Sequence, residues 1–381
     1  MSRIDDLIAE LCPNGVEFKT LGEVLRIKNG KDYKPLGDGD IPVYGSGGIM
    51  RYVDTAAGEG PSVLIPRKGS LGNIFYVEGP FWVVDTIFRT EIDFSQVEPK
   101  FVYHQLLTMK LGEMNQAGGV PSQTQTVLNS LRIPVPPLEV QREIVRVLDP
   151  FTQLEAELEA ELEARRRQYE HYRQLAMSFD DSIPRVALGD IAEVRSGWGF
   201  PNVHQGREEG EYPFYKVGDM NLPGNETVMS IANNYVSAEV AKNLGVRPAP
   251  AGTVIFPKIG AAVATNKKRV LSVPSAYDNN VMGLVPTERV TSRFLYHWMQ
   301  TFDLSRLAND SGAVPSIRKT EAEKVRIPLP DLDTQRKVAG LLDKFDALVN
   351  DLSVGLPAEL AARRNQYEYY RDKLLTFEEA V

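Results

Sequence analysis

The feature that most constrains this chain is an internal repeat, because six blocks of residues occur twice in the same order. The matched blocks are 21–24 with 188–191, 101–105 with 294–298, 119–122 with 313–316, 132–136 with 326–330, 141–142 with 335–336, and 168–173 with 366–371. The offset between them grows from 167 to 198 residues, so insertions fall between the blocks. A tandem duplication of this kind predicts two folded halves of similar architecture.

The front part of each repeat consists of short apolar runs between turn residues. Such runs, at 42–44, 62–66 and 81–84 and again at 213–215, 253–257 and 281–285, are typical of strands. Helical pieces are predicted at 98–110 and 292–307. We therefore expect a mixed α/β domain over 1–137 and a second over 184–330.

The back part of each repeat, 138–183 and 331–381, is predicted to be helical. Apolar residues recur there in steps of three, four or seven, which indicates coiled-coil-like helices. We expect a kink or restart at Asp149-Pro150 and another kink at Gly355 and Pro357. The predicted seam between the helices comprises Leu158, Leu162, Tyr169, Tyr172, Leu352, Leu356, Leu360, Tyr367 and Tyr370.

Charge and composition exclude few functions. The net charge is -8, but residues 1–137 carry -3 and residues 184–330 carry +3, so the excess acid lies in the helical segments. Charge therefore neither predicts nor forbids a nucleic-acid partner. One cysteine, Cys12, rules out an intramolecular disulfide and fits a cytoplasmic protein. The few histidines and the single cysteine favour no metal site, and no apolar run has the ~20 residues that span a bilayer.

Several motifs together resemble the specificity subunits of type I restriction-modification systems. These are Leu11-Cys-Pro-Asn-Gly-Val-Glu-Phe18, the glycine loop in Ile41-Pro-Val-Tyr-Gly-Ser-Gly-Gly48, and the paired blocks 133–144 and 327–338 with their Pro-x-x-x-x-Gln-Arg pattern. The likeness covers nearly the whole chain. Two departures are a degraded second glycine loop at 212–219 and a second helical segment longer by four residues.

The resemblance implies an α+β fold with two mixed α/β target-recognition domains, 1–137 and 184–330. Two spacer helices, 138–183 and 331–381, would pack as an antiparallel coiled coil in a pseudo-two-fold repeat. It implies a non-catalytic subunit that reads a bipartite, asymmetric target in double-stranded DNA. Its partners would be two methyltransferase subunits and restriction/translocase subunits, and those partners would hold S-adenosylmethionine, ATP and magnesium.

Candidate DNA contacts lie in loops that occupy corresponding places in the two repeats. In the first repeat they are Gly45, Ser46, Gly47, Arg51, Arg67, Lys68, Ser70, Ser122, Gln123 and Gln125, and in the second Lys216, Lys258, Lys267, Lys268, Ser316, Arg318 and Lys319. Basic and hydroxyl side chains suit phosphate, whereas Arg and Gln also suit base edges. The alternatives are a flexible hairpin at 45–48, solvated turns at 67–70, 258–260 and 267–269, and N-caps at Ser122 and Ser316.

Other residues favour structural roles. Asp85-Thr86 and Asp278-Asn279 are placed at corresponding positions and interpreted as turn residues, and His104 and His297 as packed histidines. Glu98-Pro-Lys100 with Asp85 or Asp93 has a nuclease-like spacing, but Thr291 replaces Glu98 in the second repeat. No phosphate-loop motif for an ATP motor is present in the sequence. Two hypotheses remain beside DNA reading: a two-headed protein scaffold that never binds DNA, and a nuclease active in one repeat.

Overall fold

The computed structural model describes residues 3–114, 122–309 and 314–380, so the repeated block at 119–122 and 313–316 lies partly outside the described residues. The chain divides into two compact units. Unit 1 is Met1–Ala156 with Arg363–Val381, and unit 2 is Glu157–Ala362. Each unit thus contains one front part together with stretches of both helical segments, which differs from the predicted four-segment division at 137, 183 and 330.

The helices have the following bounds. They are α1 Arg3–Leu11, α2 Leu21–Val24, α3 Pro99–Thr108, α4 Gln125–Ser130, α5 Leu138–Ala176, α6 Ala238–Asn243, α7 Ser292–Thr301, α8 Lys319–Lys324, α9 Leu332–Asn350 and α10 Gly355–Leu374. The helix predicted over 292–307 is therefore shorter, and a separate 3-10 turn follows it at Leu304–Leu307.

Unit 1 is built on two four-stranded sheets and one short ribbon. Its strands are β1 Phe18–Thr20, β2 Leu25–Asn29, β3 Ile41–Gly45, β4 Gly48–Val53, β5 Gly58–Glu59, β6 Ser62–Pro66, β7 Phe75–Val77, β8 Pro80–Val83, β9 Ile87–Ile92 and β10 Arg132–Pro134. The sheets have the orders β2-β9-β6-β7 and β4-β3-β8-β5, and β1 pairs with β10. β6 is buried at every position, so it forms the centre of the core.

Unit 2 repeats this plan with additional strands. Its strands are β11 Arg185–Ala187, β12 Ala192–Ser196, β13 Tyr212–Tyr215, β14 Val228–Met229, β15 Tyr235–Val236, β16 Val254–Pro257, β17 Arg269–Leu271, β18 Ala276–Tyr277, β19 Val281–Pro286, β20 Ala308–Asn309, β21 Ser316–Ile317 and β22 Arg326–Pro328. They form sheets ordered β12-β19-β16-β17-β14 and β15-β13-β18, with the ribbons β11-β22 and β20-β21.

The duplication is confirmed by strand registers. In unit 1 the ribbon pairs Thr20 with Arg132, and in unit 2 the ribbon pairs Ala187 with Arg326. β3 runs parallel to β8, and β13 runs parallel to β18. The other strand pairs in these two sheets are antiparallel. The mixed α/β character predicted for both front parts is therefore correct.

The long helical segments differ in continuity. α5 has 39 residues and continues through Pro150, so the predicted restart there is wrong. The second segment breaks between α9 and α10, and the kink predicted at Gly355 is correct. Gly355 has φ +80, and a Cβ atom at this position would lie 2.6 Å from the Leu348 carbonyl oxygen. The break therefore needs a glycine.

The helices pack antiparallel within each unit. In unit 1, the Phe151 ring lies 5.5 Å from the Tyr370 ring, and Glu155 pairs with Arg364 at 2.6 Å. Position increases along α5 from Phe151 to Glu155 while it decreases along α10, as antiparallel packing requires. In unit 2, the rings of Tyr169 and Tyr172 stack on Phe345 at 6.2 and 5.8 Å, and Arg166 donates to the Val349 carbonyl.

The predicted seam residues have different exposures. Leu158, Leu162, Tyr169, Leu360 and Tyr367 are buried. Tyr172 and Tyr370 are partly exposed, although their rings contact Phe345 and Phe151. Leu352 is wrong as a seam residue, because it lies in the break between α9 and α10 with 49% of its surface exposed. Side chains in a loop no longer follow the helical period.

The repeated Gln-Arg block has a structural cause. Gln141, fully buried, donates to the carbonyls of Gln96 and Pro136 at 2.9 and 2.7 Å and accepts from the Glu98 amide at 2.8 Å. It thereby joins the start of α5 to the start of α3. In unit 2 the buried Gln335 repeats these bonds to Arg289, Pro330 and Thr291.

Candidate nucleic-acid interface

Four loops of unit 1 converge at one end of its strands. The amides of Arg67 and Lys68 both donate to the Thr86 carbonyl, and the Gln123 amide donates to the Arg67 carbonyl. The Ser46 amide lies 3.3 Å from the Thr86 hydroxyl. These bonds bring 45–48, 67–73, 85–86 and 122–125 together, and we call this group loop cluster 1.

The glycine loop in loop cluster 1 leaves open space beside its backbone. Nothing lies within 4 Å of the position that a Cβ atom would take at Gly47 or Gly48, and Gly48 has φ +113. The Asn73 side chain donates to the Ser46 carbonyl at 3.1 Å, which fixes the loop. An open backbone held in place in this way suits close approach of a ligand.

Side chains of loop cluster 1 differ in how far they are free to reach a ligand. Lys68, Ser70 and Ser122 are exposed. Arg67 is half-buried with its guanidinium 5.7 Å from the Phe88 ring, and Arg51 pairs with Asp38. Exposed donors next to an open backbone favour phosphate contact.

Gln123 and Gln125 are positioned differently from the prediction. Gln123 is buried and donates to the Leu111 carbonyl at 2.8 Å, so the prediction that it contacts DNA is wrong. Gln125 is half-buried and donates to the Asn29 side chain at 3.1 Å. The N-cap of α4 is Thr124, so the alternative interpretation of Ser122 as an N-cap is wrong.

Unit 2 builds the same scaffold with other residues. The Lys258 amide donates to the Asn280 carbonyl, the Ile317 amide to the Lys258 carbonyl, and the Gly260 amide to the Pro315 carbonyl. The Asp278 amide donates to the Tyr215 carbonyl, next to Lys216. The converging segments are 216–219, 258–260, 278–280 and 315–319, which we call loop cluster 2.

The backbone bonds correct one predicted correspondence. The Val84 amide donates to the Tyr44 carbonyl just as Asp278 donates to Tyr215. Asp278 therefore takes the place of Val84, and Asn279 takes the place of Asp85. The prediction that aligned Asp85 with Asp278 is wrong by one residue, because sequence letters alone do not fix strand register.

Charge is partly buried in loop cluster 2. Asp278 is 5% exposed, and burial raises the pKa of its carboxyl although the amide of Asn280 donates to it at 3.0 Å. Burial lowers the pKa of the Lys258 ammonium, and the charge of Asp278 opposes that shift. Lys216 donates to the Gln205 side chain at 2.9 Å. Loop cluster 1 has apolar Val84 in place of this carboxyl.

The other predicted contacts of unit 2 lie in two places. Arg318 and Lys319 are exposed beside Ser316, and Lys267 is half-buried and bonds to Asn221. Arg318 is the N-cap of α8, so Ser316 is not the N-cap that the alternative interpretation expected.

Lys268 is wrong as a DNA contact. It is fully buried and donates to the Phe302 carbonyl at 2.6 Å and to the Asn266 side chain at 2.7 Å. Burial lowers the pKa of its ammonium to about 7. A run of basic residues predicts a solvent-exposed segment, but Lys268, the middle residue of this run, is buried in the interior of unit 2.

Sequence reasoning missed several residues of the two clusters. Asn73, Gln205 and Asn280 enter only through bonds between separate segments of the chain, and Thr86, which the sequence indicated only as a turn residue, enters in the same way. It also missed the exposed apolar side chains of edge strand β4, which are Ile49, Met50 and Tyr52. The apolar and aromatic residues of Gly48–Val53 would have predicted a strand, but not that most of its apolar side chains are solvent-exposed.

Comparison with known families decides the class of protein. The family model of the type I restriction modification DNA specificity domain matches residues 13–164 and again 184–362. The chain belongs to the type I restriction-modification specificity subunits. Each matched segment of this specificity subunit contains one of the two loop clusters.

Individual relatives agree with this assignment. A Haemophilus influenzae protein named as a candidate type I restriction enzyme specificity subunit is 30% identical, with 95% of this chain and 96% of that protein covered. The specificity subunit of the Escherichia coli type I enzymes EcoR124I and EcoR124II is also 30% identical, over 76% of this chain and 73% of the relative.

Solved structures share the fold. The specificity subunit from M. genitalium superposes with a TM-score of 0.58 at 16% identity, covering 95% of this chain and 96% of that one. A chain from a study of type I restriction-modification complex assembly gives a TM-score of 0.57 at 17% identity, covering 95% and 98%. The predicted fold class is therefore correct.

The residues that the structure describes contain neither a membrane-spanning helix nor a cluster of metal ligands. Among them, no helix combines the length and the apolar character that crossing a membrane requires. Within 3–114, 122–309 and 314–380, no group of three or more His, Cys, Asp or Glu residues could hold a metal ion. Glu98 and Lys100 of the nuclease-like string instead face Arg142 and Asp149, at 3.5 and 2.6 Å.

Proposed function

We propose that this specificity subunit reads a bipartite, asymmetric target in double-stranded DNA, with one half-site for each loop cluster. The observation that carries the proposal is a shared backbone scaffold bearing different side chains. The same inter-loop bonds fix Arg67 in unit 1 and Lys258 in unit 2, whereas Val84 is replaced by Asp278. Equal scaffolds with unequal side chains suit two readers of different sequence.

Within each cluster we assign phosphate and base contacts by exposure. Lys68, Ser70 and Ser122 in loop cluster 1 are exposed donors, as are Arg318 and Lys319 in loop cluster 2. Such groups position a protein on the DNA backbone. The glycine loop at 45–48 would bring backbone amides to a phosphate or a base edge. Gln123 and Lys268 are no longer candidates.

The helical segments are proposed to dock two methyltransferase subunits. An apolar pocket in unit 2, lined by Tyr172, Leu175, Leu341 and Phe345 among others, opens between α5 and α9. Leu175 and Leu341 are more than half exposed, as expected of a surface that a partner covers. Methylation and cleavage would be carried out by the methyltransferase and restriction subunits. Those partners would bind S-adenosylmethionine, ATP and magnesium, and the complex would act in the cytoplasm.

A domain exchange tests the proposal. Residues 184–330 are replaced by those of a relative, and methylated adenines are mapped in cells that express the complex. We expect one half of the target to change while the other half and the gap persist. The reciprocal exchange of 1–137 is the matched control and should change the other half. A change in both halves, or in neither, contradicts the modular assignment.

The rival function is a two-headed protein scaffold, and the acidic balance of residues 1–137 favours it. The two functions differ in their response to salt, because DNA binding through phosphates weakens steeply as salt rises. The assembled complex is titrated with the mapped duplex and with a scrambled duplex at salt concentrations between about 50 and 200 mM. For a protein with about six phosphate contacts, the affinity should fall roughly a thousandfold over this range. Absence of salt-dependent binding to either duplex supports the scaffold.

A further inference from the structure

A buried histidine of unit 1 joins three helices. His104, on α3, places its Nδ1 atom 2.8 Å from the Tyr367 hydroxyl of α10 and its Nε2 atom 3.4 Å from Asp149 of α5. Its side chain is 1% exposed. Lys100, one turn before it, binds the other oxygen of Asp149 at 2.6 Å. The recognition domain is thereby bonded to both long helices at one point.

Unit 2 repeats this junction from equivalent residues. His297, on α7, places Nε2 2.6 Å from Asp343 of α9 and Nδ1 3.5 Å from the Tyr169 hydroxyl of α5. Arg293 takes the place of Lys100 and binds Asp343 at 2.6 Å. The order of the helices is exchanged, since the carboxylate comes here from the second segment and the tyrosine from the first.

The protonation of the histidines follows from their partners. A carboxylate only accepts, so Nε2 of His104 donates to Asp149, and Nδ1 accepts the hydroxyl hydrogen of Tyr367. Burial lowers the pKa of both histidines, which keeps the rings neutral. In unit 1 the neutral ring is thus a bridge from the Tyr367 hydroxyl to the Asp149 carboxylate, whereas in unit 2 the ring binds Asp343 and its Nδ1 atom faces the Tyr169 hydroxyl.

The two junctions differ in one acidic residue. Asp346, 4% exposed, accepts from the Tyr169 hydroxyl at 3.1 Å and from Thr227 at 2.6 Å. Its equivalent in unit 1 is Thr152. The Tyr169 hydroxyl therefore gives its one hydrogen to Asp346 and only lies 3.5 Å from His297, whereas the Tyr367 hydroxyl donates to His104 and accepts from Arg371.

We infer that these two junctions, His104–Asp149–Tyr367 and His297–Asp343–Tyr169, are latches that set the angle of each recognition domain on its helices. By that angle they fix the number of base pairs allowed between the half-sites. The inference rests on the proposed DNA-reading function and adds positioning residues to it. None of the six residues lies in a loop cluster, so they act through the domains that they hold.

Rigidity of the two junctions connects them to the length of the gap. A duplex whose gap is one base pair too long or short is displaced by ~3.4 Å and rotated by ~34° at one half-site. A domain follows that displacement only by tilting on its helices, and tilting breaks the latch. The energy of the latch therefore adds to the penalty for a wrong gap but not to the affinity for the right one.

The test is removal of single hydroxyl groups. Tyr367→Phe and Tyr169→Phe keep the rings and remove the bonds to the histidines. Tyr370→Phe and Tyr369→Phe are matched controls, because these solvent-exposed tyrosines lie within one turn of Tyr367 on the same helix. Each variant is assembled with its partner subunits. Binding is measured to duplexes that share both mapped half-sites and differ in gap by one and two base pairs.

We expect Tyr367→Phe to lower the ratio of affinities for the right and wrong gaps by about threefold to tenfold, the range for one buried hydrogen bond. The preference for bases within each half-site should persist, and the controls should keep the wild-type ratio. Tyr169→Phe should have a smaller effect, because Asp346 shares its hydroxyl.

Three outcomes are decisive. If Tyr367→Phe weakens binding to all gaps equally, the tyrosine is only structural and the latch is refuted. If the variant binds like the wild type at every gap, the latch is refuted as well. If the wild-type complex fails to bind the mapped duplex at all, the proposed function itself fails. A variant that does not fold is recognised by its thermal unfolding, and His104→Gln then takes its place.

Discussion

Replacement of Gln141 by methionine is the sharpest test of how the recognition domain of unit 1 is joined to its helix. Methionine has a similar volume and leaves no large cavity. It removes the amide that satisfies the Gln96 and Pro136 carbonyls and the Glu98 amide. Gln141 is 0% exposed, the bond to Pro136 is buried, and the bonds to Gln96 and Glu98 are partly buried. Three backbone groups therefore lose a partner at once.

The magnitude follows from the cost of an unsatisfied buried polar group, which is about 1–3 kcal/mol. Taking the lower end for each of three groups gives a loss of about 3 kcal/mol. In amide hydrogen exchange this corresponds to roughly 150-fold faster exchange in the protected core of unit 1. Exchange followed by mass spectrometry separates peptides of unit 1 from those of unit 2, so no global two-state transition is needed.

Two controls define the result. Arg142→Ala alters the neighbouring residue, whose side chain is 65% exposed and pairs with Glu98 at 3.5 Å, and should cost less than about 1 kcal/mol. Gln335→Met should accelerate exchange in unit 2 only. If Gln141→Met accelerates exchange in unit 1 by less than about fivefold, the reasoning from unsatisfied groups is wrong.

The remaining predictions concern packing, pH and DNA. Gly283→Ala should destabilise unit 2 by about 3 kcal/mol in urea unfolding, because its Cβ would lie 2.2 Å from the Tyr277 hydroxyl, and Tyr277→Phe should restore part of the loss. Because burial lowers the pKa of Lys268 to about 7, the unfolded state binds more protons above that pH. Stability should therefore rise from pH 7 towards 10 by at most about 1.4 kcal/mol per unit, and Lys268→Met should flatten the curve. Lys68→Ala should reduce the salt slope of DNA binding by about 1, whereas Arg146→Ala on α5, paired with Glu143 at 2.6 Å, should leave it unchanged.

The sequence predicted the features that depend on local pattern. The two-fold repetition, strands such as β6 and β16, and the starts of α5 and α9 follow from apolar spacing and turn residues. The break at Gly355 was predictable because glycine and proline interrupt helices. The prediction at Pro150 was wrong, since α5 continues through it. The helix-breaking tendency of this one proline does not outweigh the helical packing of the other 38 residues of α5.

The candidate interface was less predictable because it depends on long-range pairing. Arg67, Thr86 and Gln123 meet through backbone bonds between segments up to 56 residues apart, which no local pattern encodes. The off-by-one alignment of Asp85 has the same origin. Lys268 reaches a carbonyl 34 residues away, so its burial was not visible in a run of basic residues. His104 and His297 could be matched across the repeats from the sequence, but their hydrogen-bond partners depend on how the helices pack.

The interruption between α9 and α10 explains how a length difference was accommodated. Asp343 follows Asp149 by 194 positions and Tyr367 follows Tyr169 by 198, so the second segment has gained four residues between these points. Within an unbroken helix, four residues would advance everything beyond them by ~6 Å and turn it by ~40° past a full revolution. Residues 351–354 lie outside both helices instead. The surplus is looped out, and a tyrosine still meets a histidine at both junctions.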